Sequence, residues 1–89
     1  MDSNVTKLEQ EVEAFLASFT DPVISASRVI NPLLDVWGAA KEVDDSVAVP
    51  VEVLLTALVS RELTTTGELV GMVDELRAAL AAWTMPASV

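Results

Sequence analysis

The sequence has no histidine, no cysteine and no tyrosine, and only five of its 89 residues are basic. Histidine is the usual general base near neutral pH, and cysteine supplies low-pKa nucleophiles and soft metal ligands. Without these side chains we predict no catalytic residues, no metal site and no cofactor. We therefore expect that the protein is not an enzyme.

Positive charge is scarce and scattered, and 14 acidic residues give a formal net charge of −9. Nucleic acids and anionic membranes both attract clustered basic residues, so we predict neither as a partner. Uncharged windows such as residues 53–60 are far shorter than the ~20 apolar residues of a membrane-spanning helix. The first four residues also lack the basic start and apolar run of a secretory signal, which predicts a cytoplasmic location.

Apolar residues, in contrast, are abundant for so short a chain. They make up 52% of the sequence, and the mean hydropathy is +0.47. We predict a single domain over residues 1–89, because a second could not enclose a core of its own. A domain of this size buries only about 60 to 65% of the surface that its unfolded chain exposes. We therefore expect more apolar side chains than the interior can hold, and a protein partner that covers the remainder.

Proline following a good capping residue marks the predicted helix starts, because proline is accepted at the first helical position. Two capping boxes, in which a threonine and a glutamate satisfy the first backbone donors, add to these signals. The chain at Pro32 either kinks one helix or separates two. The starts are Asp21-Pro22, Asn31-Pro32 and Val49-Pro50, with Ser46 as an earlier cap for the third, and the boxes are Thr6 with Glu9 and Thr65 with Glu68.

These signals and the helical spacing of apolar residues predict an all-α fold, a small bundle of four or five short, proline-initiated helices. Residues 47–51 have strand propensity, but no second alternating run exists to pair with them. We expect flexible tails over residues 1–5 and 84–89 and no internal sequence repeat. The first helix covers about residues 6–19, the next segments begin at Pro22 and Pro32, the fourth helix ends near residue 62, and the last covers 65–83. The predicted core consists of Phe15, Phe19, Ile30, Leu34, Trp37, Leu54, Leu55, Leu58, Leu69, Met72, Leu76 and Leu80.

The string Asp44-Asp45-Ser46-Val47 resembles the Asp-Ser-Leu signature of acyl and peptidyl carrier proteins. This resemblance implies that Ser46 carries a phosphopantetheine arm, that residues 51–53 follow it on a recognition helix, and that residues 64–69 open the last helix. The alternative is that Ser46 is an ordinary helix cap.

Two further interpretations depend on charge. Glu42, Asp44 and Asp45 offer oxygen ligands, but they lack the alternate spacing and the glycine of a calcium loop. Residues 54–80 have the order of a helix-turn-helix, but the second helix is too acidic to meet phosphates. The inverse hypothesis is that the acidic surface imitates DNA and inhibits a DNA-binding protein.

The leading hypothesis is a non-enzymatic protein-interaction module, either a homodimer or a small accessory or regulatory subunit. It depends on the apolar surplus in a chain without a reactive group of residues. The predicted contact regions are residues 47–53 and the last helix. The partner-binding residues predicted there are Val47, Val49, Val51, Gly71 and Trp83.

Overall fold

The computed structural model describes residues 3–84, which form four helices and a two-stranded sheet. The predicted all-α bundle is therefore confirmed, with a very small sheet added to it. Residues 3–5 and 84 of the predicted tails belong to helices, and the other residues of those tails lie outside the described part. In chain order the elements are α1 (Ser3–Ala17), β1 (Val23–Ser25), α2 (Ala26–Val43), α3 (Asp45–Val59), β2 (Leu63–Thr65) and α4 (Thr66–Thr84).

The two strands join two halves of the same order, α1–β1–α2 and α3–β2–α4. They pair antiparallel, and Ile24 lies opposite Thr64 at the centre of the register. The pairing continues at both ends, since the Ala26 N–H donates to the Glu62 carbonyl at 2.9 Å and the Thr66 N–H donates to the Pro22 carbonyl at 3.3 Å. The loop of each half thus satisfies the first N–H group of the other half's second helix.

The predicted helix start at Asp21-Pro22 is wrong for this reason. Residues 21–22 form a bend, residues 23–25 form β1, and the helix begins only at Ala26. A partner strand some forty positions away supplies the hydrogen bonds that hold residues 23–25 extended. Local capping signals do not contain that information.

The prolines of the other two predicted helix starts, Pro32 and Pro50, lie inside helices. α2 is continuous over residues 26–43 and contains Pro32, so Asn31-Pro32 does not separate two helices. α3 begins at Asp45, five residues before Pro50, and its cap is the Asp44 carboxylate, which accepts the Ser46 N–H. Each proline removes one backbone donor, and the packing of both helices on their neighbours offsets that loss.

Of the two predicted capping boxes, one is partly confirmed. Thr6 lies inside α1 and does not begin it. The Thr65 hydroxyl accepts the Glu68 N–H at 3.2 Å, as predicted. The Glu68 carboxylate mainly bonds Arg61 and the Thr64 hydroxyl, and the Thr65 backbone makes only the smallest contribution to lowering its pKa.

α2 lies at the centre of the bundle, where it packs on α1 and on α3, and α4 packs mainly on α3. Most of the predicted core is confirmed, and Ile30, Trp37 and Leu55 are partly buried against it. Leu34 is 44% exposed, and Leu33 takes the core position beside it. Neighbouring residues of a helix point in different directions, so only one of the two leucines can face inward. The predicted core residues that are buried are Phe15, Phe19, Leu54, Leu58, Leu69, Met72, Leu76 and Leu80.

The inward positions of the two halves correspond, although the residue types differ. The buried residues in and just after α1 recur in α3 at a constant separation of 39 positions, and those of α2 recur in α4 at a separation of 40. The chain therefore repeats a pattern of burial without repeating a sequence. The corresponding pairs are Leu8 and Val47, Val12 and Val51, Phe15 and Leu54, Phe19 and Leu58, then Val29 and Leu69, Leu33 and Val73, Val36 and Leu76, Ala40 and Leu80.

Within residues 3–84, no helix combines the length and the apolar character needed to cross a membrane.

Candidate functional site

The predicted contact region in α3 divides into two faces. Val47 and Val51 are fully buried and belong to the core, so their assignment to a partner surface is wrong. Val49 and Val53, by contrast, are 50% and 63% exposed. Residues four apart share a helix face, so these two valines form one outward strip, the α3 strip. The sequence could not separate the two faces, because α3 is apolar around most of its circumference.

Val53 of the α3 strip lines an open groove of about 310 Å³ between α3 and α4, the α3–α4 groove. Its α3 wall is apolar, and its α4 wall combines Gly71 and Met72 with two carboxylates. Leu54 and Met72 were predicted only as core residues, and they also reach this surface. The lining consists of Pro50, Val53, Leu54, Ala57, Arg61, Glu68, Gly71, Met72 and Glu75.

Gly71 is exposed in the middle of the α4 wall. A Cβ atom built on it would meet no atom within 4 Å. The glycine is therefore not required by packing within the protein, yet it lowers helix stability relative to alanine. Its absent side chain leaves the α4 backbone open to the groove.

An ion pair closes one end of the groove. The Arg61 guanidinium donates to the Glu68 carboxylate across the loop between α3 and α4, and the Thr64 hydroxyl donates to the same carboxylate at 3.3 Å. The hydrogen bond from Arg61 is the largest cause of a lowered pKa for Glu68. Arg61 is thereby neutralised locally, whereas Glu75 makes no hydrogen bond or ion pair within residues 3–84.

On its other side, α3 borders a second groove, against α2, which sequence reasoning did not find. The Trp37 indole N–H donates to the Glu52 carboxylate at 3.0 Å, and the Lys41 ammonium lies 5.6 Å from the centre of the Trp37 ring. Lys41 also pairs with Asp45 at 2.8 Å, and this hydrogen bond is the main reason for its raised pKa. The spacing of Lys41 and Asp45, four apart, was the one available signal. The charged groups on this side of α3 are therefore paired within the protein.

Trp83 is 39% exposed but does not line either groove beside α3. It lies near the junction of α2 and α3, where its side chain contributes to lowering the pKa of Asp44. The larger causes of that lowered pKa are the hydrogen bonds that Asp44 accepts from the Ser46 side chain and backbone. Trp83 therefore does not share the groove that Gly71 lines.

Ser46 is exposed in the first turn of α3. It is not the helix cap, since Asp44 has that role, and its hydroxyl donates to the Asp44 carboxylate at 2.5 Å. Of the three residues that the carrier resemblance places on a recognition helix, Val51 is buried, and Glu52 and Val53 are exposed.

The order helix, loop, helix in each half is also the order of an EF-hand. An EF-hand loop supplies oxygen ligands at alternate positions and has a glycine at its sixth position. Between α1 and β1 the only acidic residue is Asp21, and between α3 and β2 it is Glu62. No group of three or more acidic residues within residues 3–84 is arranged to hold a metal ion.

No protein-family model matches the chain, and no curated protein and no solved structure shows significant similarity to it.

Proposed function

We propose that the protein is a non-enzymatic protein-interaction module, a homodimer or a small accessory subunit, that binds a protein partner through the α3 strip and the α3–α4 groove. The proposal includes a cytoplasmic location, which fractionation of cells would test.

One observation carries this proposal. At the two positions where α3 exposes Val49 and Val53, the corresponding positions of α1 hold Gln10 and Ala14, which are also exposed. The fold therefore does not need valine there. β-branched residues are poorer helix formers than alanine or glutamine, and exposed apolar surface stays in contact with water. A partner that covers the two valines would explain their presence.

The position of the valines adds support. Single exposed apolar residues are common on protein surfaces, but Val49 and Val53 lie one helical turn apart, and Val53 lines a groove whose α3 wall is apolar. Within residues 3–84, every buried side-chain nitrogen or oxygen has a hydrogen-bond partner. The interior thus offers no unsatisfied polar group for a ligand, and the outer face of α3 is the stronger candidate.

The test compares Val53→Gln with Val59→Gln, using the full chain immobilised as bait and sedimentation equilibrium for self-association. Both valines are exposed on α3, but only Val53 lines the groove. We expect that Val59→Gln still retains a specific protein or still forms a dimer. Val53→Gln should lose that retained protein or that dimer. Equal behaviour of the two variants, or a monomer that retains no protein at all, would contradict the proposal.

A further inference from the structure

We infer that the α3–α4 groove receives an amphipathic helix of another protein, whose apolar face is flanked by lysine and arginine. This inference rests on the proposed function and specifies its partner.

The walls of the groove favour a helix over an extended strand. A bound strand gains affinity by pairing with free backbone groups at a sheet edge. Both walls here are helices, whose backbone groups bond internally along most of their length, so the groove offers side chains rather than an edge. An apolar groove between helices is suited to the apolar stripe of a third helix.

The length of the groove sets the number of contacts. Its α3 wall extends from Pro50 to Ala57, which is about 10 Å at 1.5 Å per residue. A partner helix can therefore place about two turns in the groove. Its anchoring side chains would recur at positions i, i+3 or i+4, and i+7, and the turn nearest Gly71 has room for the closest approach.

The negative charges at the groove favour basic residues on the flanks of that helix. Glu75 lines the groove, and the exposed Asp74 precedes it on α4; neither makes an ion pair within residues 3–84. The only basic residue in the lining, Arg61, is already paired with Glu68. A bound helix therefore meets uncompensated negative charge, on a chain of net charge −9, and basic flanks complement it.

The same charges disfavour a second copy of this chain as the occupant. A two-fold contact places the same patch of both copies together, so the Asp74 and Glu75 carboxylates of the two copies would surround one apolar strip. Arg77 cannot offset this repulsion, because it lies in a different hollow with Val5 and Glu9, between α1 and α4. Like charges brought together at an interface are costly.

The probe is a synthetic 18-residue helix of leucine and lysine, with leucine at i, i+3, i+4 and i+7, titrated into the full chain by calorimetry. We expect one-to-one binding that weakens at least fivefold when glutamine replaces the lysines, and similarly when NaCl rises from 0.05 to 0.5 M. A scrambled peptide of the same composition, which has no apolar face, should bind at least tenfold more weakly.

Two matched pairs of variants locate the site. Val53→Glu should weaken binding of the leucine–lysine helix at least tenfold, although it adds a negative charge that would attract the peptide. Val59→Glu adds the same charge outside the groove and should change binding less than twofold. Glu75→Gln should weaken binding about threefold, whereas Glu13→Gln, which removes the same charge on α1, should leave it within twofold. Circular dichroism of each variant checks that it is folded.

The outcomes separate this inference from the proposed function. Equal binding of the glutamine helix or the scrambled peptide, or equal effects of the two glutamate substitutions, overturns the basic helix. Self-association that Val53→Glu abolishes and Val59→Glu preserves also overturns it, because the occupant is then a second copy, but it supports the proposed function. If Val53→Glu changes neither self-association nor the binding of any protein or peptide, both are overturned.

Discussion

The first helices of the two halves, α1 and α3, have the same inward pattern and opposite outward faces. Leu8, Val12 and Phe15 of α1 correspond to Val47, Val51 and Leu54 of α3, and all six are buried. Outward, α1 presents glutamine, alanine and glutamates to water, whereas α3 presents the α3 strip. The shared inward pattern builds the bundle. The outward difference is not needed for folding, and it therefore identifies the surface that we propose for a partner.

The loops of the two halves differ in a related way. In the second half, Arg61 and Glu68 form an ion pair across the loop. At the corresponding places of the first half, Asp21 and Arg28 have the opposite arrangement of charge, and no ion pair joins them in the described structure. The ion pair thus belongs to the half that contains the α3–α4 groove, where it keeps the positive charge of Arg61 from compensating the negative charge of Glu75.

The largest expected effect comes from disrupting the hydrophobic core that the two halves share. Leu8→Ala in α1 and Leu58→Ala in α3 should each lower the free energy of unfolding by about 2 to 5 kcal/mol, because each leaves a cavity in the same core. Urea unfolding followed by circular dichroism measures this. The exposed control Gln10→Ala should change it by less than about 0.5 kcal/mol. Two separate transitions, one for each half, would contradict a common core.

The next largest effect is expected on the outward face of α3, which differs from that of α1. The double variant Val49→Gln and Val53→Ala gives α3 the outward residues of α1. It should weaken partner binding at least tenfold, or about 1.4 kcal/mol, and change stability little, because both positions are exposed. Calorimetry with the leucine–lysine helix and urea unfolding measure the two quantities. A large loss of stability with intact binding would assign the valines to the fold instead.

A smaller effect is expected at Gly71 and has the opposite sign. Gly71→Ala should raise the free energy of unfolding by up to about 1 kcal/mol, since alanine is the better helix former and its Cβ meets nothing within 4 Å. Gly71→Trp should instead fill the groove and block binding. Thermal unfolding and calorimetry distinguish the two variants. If Gly71→Ala destabilises the protein, the space described at this position is not present in solution.

The smallest effect concerns the ion pair between Arg61 and Glu68. Arg61 lowers the pKa of Glu68. The ion pair therefore stabilises the fold at pH values above the pKa of this carboxyl in the unfolded chain, about 4.3. This contribution disappears as the pH falls through the lower pKa that the carboxyl has in the folded protein. Glu68→Gln should cost less than about 1 kcal/mol at pH 7, as expected for an exposed pair, and the difference from the unaltered protein should shrink toward pH 3. Urea unfolding at both pH values measures it, and a difference that grows in acid would contradict this role.

The sequence predicted the helical class and most of the core, because buried leucines, valines and phenylalanines recur at helical spacing. It failed where the information is not local. The three-residue strand at Ile24 depends on a partner strand forty positions away, and Pro32 and Pro50 are tolerated inside helices because tertiary packing holds those helices together.

The candidate site could be predicted only in part for a similar reason. Residues 47–53 were correctly singled out as an apolar segment, but spacing alone cannot tell which side of an all-round apolar helix faces α2 and the core. Gly71 lines the groove, whereas Trp83 lies elsewhere. Glu75 was not among the predicted partner-binding residues, and only the fold places it beside the groove.

The most direct test of the central claim is a map of backbone amide chemical shifts of the full chain, recorded while the leucine–lysine helix is added. The account predicts that the largest changes lie at Val49, Val53 and Ala57 of α3 and at Gly71 and Glu75 of α4, with α1 almost unchanged. Changes centred on the outward face of α1, or spread evenly over the acidic surface, would contradict it.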